Sequence, residues 1–114
     1  MMIYLVSEIE YFYSPAIDRR IKGTTTVPLE AFDNKQDAVL FCGSSSIKKI
    51  NNLINSGKIK QFIPSFLTEE KENFLKKHNI KDFKVKSELI EEFMKVFEFN
   101  FYVVNEVKLH SICG

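Results

Sequence analysis

Both ends of this chain alternate apolar and polar side chains at a period of two, while the stretch between them repeats its apolar residues at helical spacing. Alternation places successive side chains on opposite faces of a strand. Ile3, Leu5, Ile9 and Tyr11 therefore share one face near the start, and Phe99, Phe101, Val103, Val107 and Leu109 share one near the end. The two segments also echo one another. Ile3-Tyr4-Leu5-Val6-Ser7-Glu8-Ile9-Glu10 matches Phe101-Tyr102-Val103-Val104-Asn105-Glu106-Val107-Lys108 in residue type. Any half-buried strand tends to look this way; the alternative is that the two terminal strands are neighbours in one sheet. A chain of 114 residues has room for one domain and can bury enough surface to fold without staples. The expected fold is a single α+β domain over residues 1–114. Its small mixed or antiparallel sheet contains Ile3–Tyr13 and Phe99–Leu109, and about four helices cover one face. The expected core holds Leu5, Ile9, Phe41, Ile50, Leu53, Phe74, Phe93, Phe97, Phe101, Val103 and Val107.

Local signals divide the middle. Ser14-Pro15 breaks the first strand, and residues 14–23 read as a loop ending at Gly23. Thr24-Thr25-Thr26-Val27 is β-branched and reads as a second strand or sheet edge; Pro28 has no amide to donate, so the strand ends or sits at an edge there. Asp33 with Gln36 forms a capping box for a short helix, Asn34 to Cys42, stopped by Gly43. A rival reading makes Ala38–Cys42 a buried strand, but the capping box favours helix. Ser44-Ser45-Ser46 then caps a second helix carrying Ile47, Ile50, Leu53 and Ile54 on one stripe, closed by Gly57. Lys58–Ile63 reads as a linker or short strand. Thr68 caps a third helix that runs to Lys76, Lys77 and His78, with Asn79 as its left-handed stop. Asp82–Lys86 alternates like a short strand. Ser87 caps a fourth helix to Phe97, with Leu89, Ile90, Phe93, Met94 and Phe97 inward.

Charge and cysteine usage bound the function. Sixteen basic and fifteen acidic residues leave a formal net charge of +1. Bulk capture of nucleic acid or of an acidic membrane is not expected, and direct nucleic-acid binding is not favoured. Met1–Tyr13 carries Glu8 and Glu10 without a cationic start, so it does not read as a secretory leader. No apolar run approaches the roughly 20 residues of a spanning helix. Two cysteines, Cys42 and Cys113, imply no disulfide framework, and a reducing cytoplasm is the expected compartment. Only Arg19 and Arg20 among the sixteen basic residues are not lysine. With abundant Ile, Asn and Phe this points to an AT-rich coding sequence, as in many low-GC bacteria and their phages. No metal or cofactor is expected, and the oligomeric state is open.

Three patterns could carry chemistry. Cys42, with His78 or His110, would need a lowered thiol pKa, and a helix C-terminal end works against that. As a small core hydrophobe it needs no such help. Glu8, Glu10 and Glu106 could cluster if the end strands pair, but Lys108 would neutralise such a face. Ser44, Ser45 and Ser46 opening a helix, with Lys48 and Lys49 behind them, make an anion cradle of free amides, hydroxyls and positive charge. Serines before a helix are more usually just caps. The segment Tyr11 to Lys22 stands apart. It gathers three aromatics, two aliphatics and both arginines, the residue types that dominate binding hot spots. Tyr11, Tyr13, Arg19, Arg20 and Lys22 are the candidate partner-binding residues, with the arginines exposed.

The leading strand Ile3-Tyr4-Leu5-Val6, the helix start Phe32-Asp33-Asn34-Lys35-Gln36-Asp37-Ala38 and the closing strand Tyr102-Val103-Val104 together resemble small phage and mobile-element proteins of the anti-defence kind. The resemblance covers the first third and the last strand. It implies a stoichiometric inhibitor of a host protein or nucleoprotein complex, and it carries over no functional residue. The expected function is accordingly a non-enzymatic protein-binding module. The alternatives are a domain that binds a nucleotide or other phosphorylated ligand at the Ser44–Lys49 helix start, and a small Cys- or carboxylate-dependent enzyme.

Overall fold

A computed structural model describes residues 1–108. Leu109, His110 and Cys113 lie outside the described residues. The end strands do pair. β1 (Met2–Ser14) is the centre of a three-stranded antiparallel sheet, with β2 (Arg19–Phe32) on one side and β3 (Tyr102–Lys108) on the other. Met2 stands opposite Lys108, Ile3 opposite Val107 and Glu8 opposite Tyr102. The loop expected at residues 14–23 is only a turn at its start. Arg19–Gly23 belong to β2, which runs on through Pro28 because β2 is an edge strand whose outer side needs no donor.

β2 carries more residues than β1 at two register shifts, opposite Val6/Ser7 and Ile9/Tyr11. Such bulges coil the ribbon and re-aim its side chains. Strict alternation of burial fails there: Val6, Ser7 and Ile9 are all buried. At the first half of β1, paired residues Tyr4, Phe32 and Glu106 face the helices, where Lys35 approaches Glu106 at 3.9 Å and the Phe32 ring meets Phe41 at 5.4 Å. Ile3, Leu5 and Val107 take the opposite face. Val107 is therefore exposed, contrary to its expected place in the core. Leu5, Phe41, Leu53 and Val103 are half-buried, while Ile9, Ile50, Phe74, Phe93, Phe97 and Phe101 are buried as expected.

The described residues hold three α-helices, one fewer than expected: α1 (Lys35–Ser56), α2 (Glu69–Lys77) and α3 (Ile90–Val96). The reduction comes from Gly43, which does not stop a helix. Its φ is not positive, and α1 runs unbroken through Ser44, Ser45 and Ser46. Ala38, Ser46 and Ile50, all buried, continue a single stripe across the glycine. The serine hydroxyls turn back onto the helix instead of capping it: Ser44 Oγ donates to the Phe41 carbonyl at 3.1 Å and Ser46 Oγ to that of Cys42 at 2.8 Å. The N-cap is Asn34, one residue past the expected Asp33; its Oδ1 accepts from the amides of Gln36 and Asp37. The expected stops and caps at Gly57 (φ 75°), Asn79 (φ 51°) and Thr68 are present.

A Cβ at Gly43 would touch nothing. Gly43→Ala is therefore expected to stabilise the protein by about 0.5–1 kcal/mol, since it removes backbone freedom from the unfolded chain. That corresponds to a rise of about 4 °C in Tm. A left-handed stop at this position would give a fall instead, so thermal denaturation distinguishes the two.

Lys58–Phe62 form a 3₁₀-helix beside β2, and Ser87–Leu89 a 3₁₀ turn leading into α3 without a side-chain cap from Ser87. Asp82–Lys86 is not a strand, because Asp82 and Phe83 both have positive φ (57° and 55°). The main core lies among the helices and the approach to β3, and it is built of phenylalanine and isoleucine with Val85. Phe93 packs against Phe97 (centroids 4.7 Å apart) and Phe99 (5.3 Å), and Phe99 stacks on Phe101 (5.7 Å).

Candidate protein-docking arm

β3 stops flanking β1 at the Glu8–Tyr102 pair, apart from one hydrogen bond from the Ile9 amide to the Phe101 carbonyl. β1 and β2 go on without it to the Ser14–Arg19 pair. The result is a two-stranded arm, and the molecule extends 61 Å along its longest axis against 34 and 25 Å across. The turn between the strands closes through the Ile17 amide donating to the Ser14 carbonyl at 3.3 Å, with Asp18 at φ 50°.

Register sorts the candidate residues. Tyr11 pairs with Lys22 and Tyr13 with Arg20, so these four share one face of the arm. Phe12 pairs with Ile21, and Ser14 with Arg19, on the other. Tyr11 belongs to the core side. Its ring lies 5.3 Å from Phe62 and 5.2 Å from Phe101, and its hydroxyl donates to the Asn100 carbonyl at 3.2 Å. Burial pushes its phenol pKa up. Tyr13 is exposed and donates to the Asp18 carboxylate, a bond that keeps its phenol protonated above the ordinary range.

The two arginines differ. Arg19 is half-buried, not exposed as expected: its Nε donates to the Ile63 carbonyl at 2.8 Å, pinning the arm to the end of the 3₁₀ segment. Arg20 is exposed and donates to Gln61 Oε1 at 3.0 Å. A bond to a neutral amide leaves its charge uncompensated. Lys22 is exposed.

Around these residues four large apolar or aromatic side chains stand about half out of the fold: Phe12 and Tyr13 at 51% each, Ile17 at 53% and Ile21 at 49%. The Phe12 ring lies over Gly23, where a Cβ would come within 2.3 Å of it. Only glycine leaves room for the ring there. A cleft of about 270 Å³ runs between the arm and Ile63–Ser65, lined in part by Ile17, Arg20, Ile21 and Pro64. Phe12, Ile17 and Ile21 were not among the named site residues. The signal for them was in the sequence, since they sit in the Tyr11–Lys22 segment; a loop reading of residues 14–23 hid their exposure on a strand pair.

The other candidates separate. Because α1 continues through Ser44–Ser46, there is no helix start there and no set of free amides to cradle an anion. Ser44 is exposed and Ser46 buried; only Ser45, Lys48 and Lys49 line a common groove. Cys42 is in mid-helix, not at a helix end, and burial pushes its thiol pKa up. Glu8 pairs with Lys49, Glu10 accepts from Thr25 Oγ1 at 2.7 Å, and Glu106 faces Lys35, so the three carboxylates do not converge. Among the described residues no group of three His, Cys, Asp or Glu side chains could hold a metal ion, and no helix is long and apolar enough to cross a membrane. No protein-family model, curated protein or solved structure matches the chain.

Proposed function

We propose that the chain is a non-enzymatic protein-binding module that docks through the β1–β2 arm. The supporting observation is the set of four half-exposed side chains, Phe12, Tyr13, Ile17 and Ile21, on a ribbon that no third strand covers among the described residues. A two-stranded ribbon is marginal in isolation. Concentrating apolar surface on it is unfavourable in water unless another surface covers it. Arg20 and Lys22 beside these groups fit a partner whose apolar groove is rimmed by carboxylates. A module of this kind acts stoichiometrically, by occupying a surface its partner needs, which accords with the inhibitor reading. The enzymatic alternative draws less support, since burial pushes the Cys42 thiol pKa up and the three carboxylates are separately partnered.

The test is parallel affinity capture from a lysate with the native chain and an Ile21→Ser variant. Ile21 is exposed, so the substitution leaves the core alone. A protein retained by the native chain and lost from the variant, at unchanged Tm, is the expected result. Equal retention by both, or no retained protein, removes the reading.

A further inference from the structure

A second surface, away from the arm, has the chemistry of an anion site. Ser45, Lys48, Asn52 and Ser56 recur along α1 at spacings of three and four, so they form one stripe. With Lys58 beyond the Gly57 cap and Tyr102 on β3, they line a groove of about 630 Å³. That is within the usual range for small-molecule sites. No acidic side chain lines it, and residues 38–68 contain none. The carboxylate beside Lys49 is already engaged: Glu8 pairs with that ammonium, which also lies 5.2 Å from the Phe101 ring centroid and 5.9 Å from that of Tyr102. Lys48 and Lys58 make no ion pair among the described residues. The groove therefore presents two free ammonium groups, the Asn52 amide and the Ser45 hydroxyl, with Leu53 and Tyr102 as apolar wall, while the Ser56 hydroxyl donates back to the Leu53 carbonyl.

We propose that this groove binds a small phosphorylated molecule, its phosphoryl oxygens held by Lys48 and Lys58 with the Asn52 amide between them. Phosphoryl oxygens accept several charge-assisted hydrogen bonds at once, which is the donor set this stripe offers. The site depends on side chains along the helix flank and does not use a helix terminus.

Calorimetric titration at low salt with inorganic pyrophosphate and, separately, with ATP tests this. Asn52→Asp keeps the shape of the groove and adds a negative charge, so it is expected to weaken binding by about tenfold or more. Lys48→Ala with Lys58→Ala is expected to weaken it by about a hundredfold. Lys76→Ala with Lys77→Ala, on exposed residues at the far end of α2, is expected to change nothing. Binding of pyrophosphate as tight as ATP shows that the phosphate alone is read; tighter ATP shows that the Leu53 and Tyr102 wall reads the organic part. Either supports the site. Absence of binding to both, or undiminished affinity in Asn52→Asp at native Tm, overturns it. So does a single-stranded oligonucleotide binding more tightly than either, since that makes the groove a nucleic-acid track.

Discussion

Phe93→Ala is expected to cost about 3–5 kcal/mol, the range for deleting a fully buried aromatic ring and leaving its cavity behind. Phe93 has no exposed surface and packs against Phe74, Phe97 and Phe99, on different elements of the core. Those neighbours are themselves large rings, which cannot close over the space without leaving their rotamers. Domains of this size are stable by only about 5–15 kcal/mol, so in the weaker case the loss is more than half of the total. Tm should fall by about 12–20 °C. Phe66→Ala is the matched comparison, since Phe66 is 93% exposed and the same atoms are deleted there without a cavity. Urea titration of both variants measures the difference. Equal effects would mean that the phenylalanine cluster is not the core.

Tyr13→Ala combined with Arg20→Ala is expected to weaken partner binding by roughly a thousandfold, at about 2 kcal/mol for each hot-spot residue. The two are register partners on one face of the arm, so the losses need not add, and the single variants give the coupling. Neither side chain is buried, so Tm should hold. Arg19→Ala behaves in the opposite way. It removes the donor to the Ile63 carbonyl and should lower stability by about 1 kcal/mol, with a smaller effect on affinity. Affinity for the captured partner, with Tm recorded beside it, separates a binding arginine from a structural one. Unchanged affinity in the Tyr13/Arg20 variant would place the interface off the arm.

The parts of this fold that could be read from sequence are those that depend on short-range rules. Alternation located β1 and β3, and Thr68, Gly57 and Asn79 marked helix ends through their own side chains or backbone freedom. Gly43 misled because a glycine before three serines satisfies the local criteria for a stop. What overrides them is the stripe running from Ala38 through Ser46 to Ile50, in which a buried serine replaces an apolar residue. β2 was mostly hidden. An edge strand needs neither alternation nor the absence of proline, and its length is set by pairing with β1, a tertiary fact. The docking arm was legible in composition, as the Tyr11–Lys22 segment, but not in geometry. The division of its two arginines between an inward and an outward role depends on the 3₁₀ segment around Ile63, more than forty residues away.

The central position of β1 has a consequence for biosynthesis. During synthesis β1 gains one neighbour, β2, almost at once, but its other edge waits for β3, which is made after α1, α2 and α3. Until then the nascent chain presents a bare hydrogen-bonding edge beside Ile3, Leu5 and Ile9, a template for pairing with other chains. Closing the sheet brings together residues from opposite ends of the sequence, so its loop entropy must be met before the contacts return anything. Closure of the sheet should therefore come late in folding and in the slower range of small mixed domains, and a chain interrupted before Tyr102 should be a substrate for chaperones and proteases.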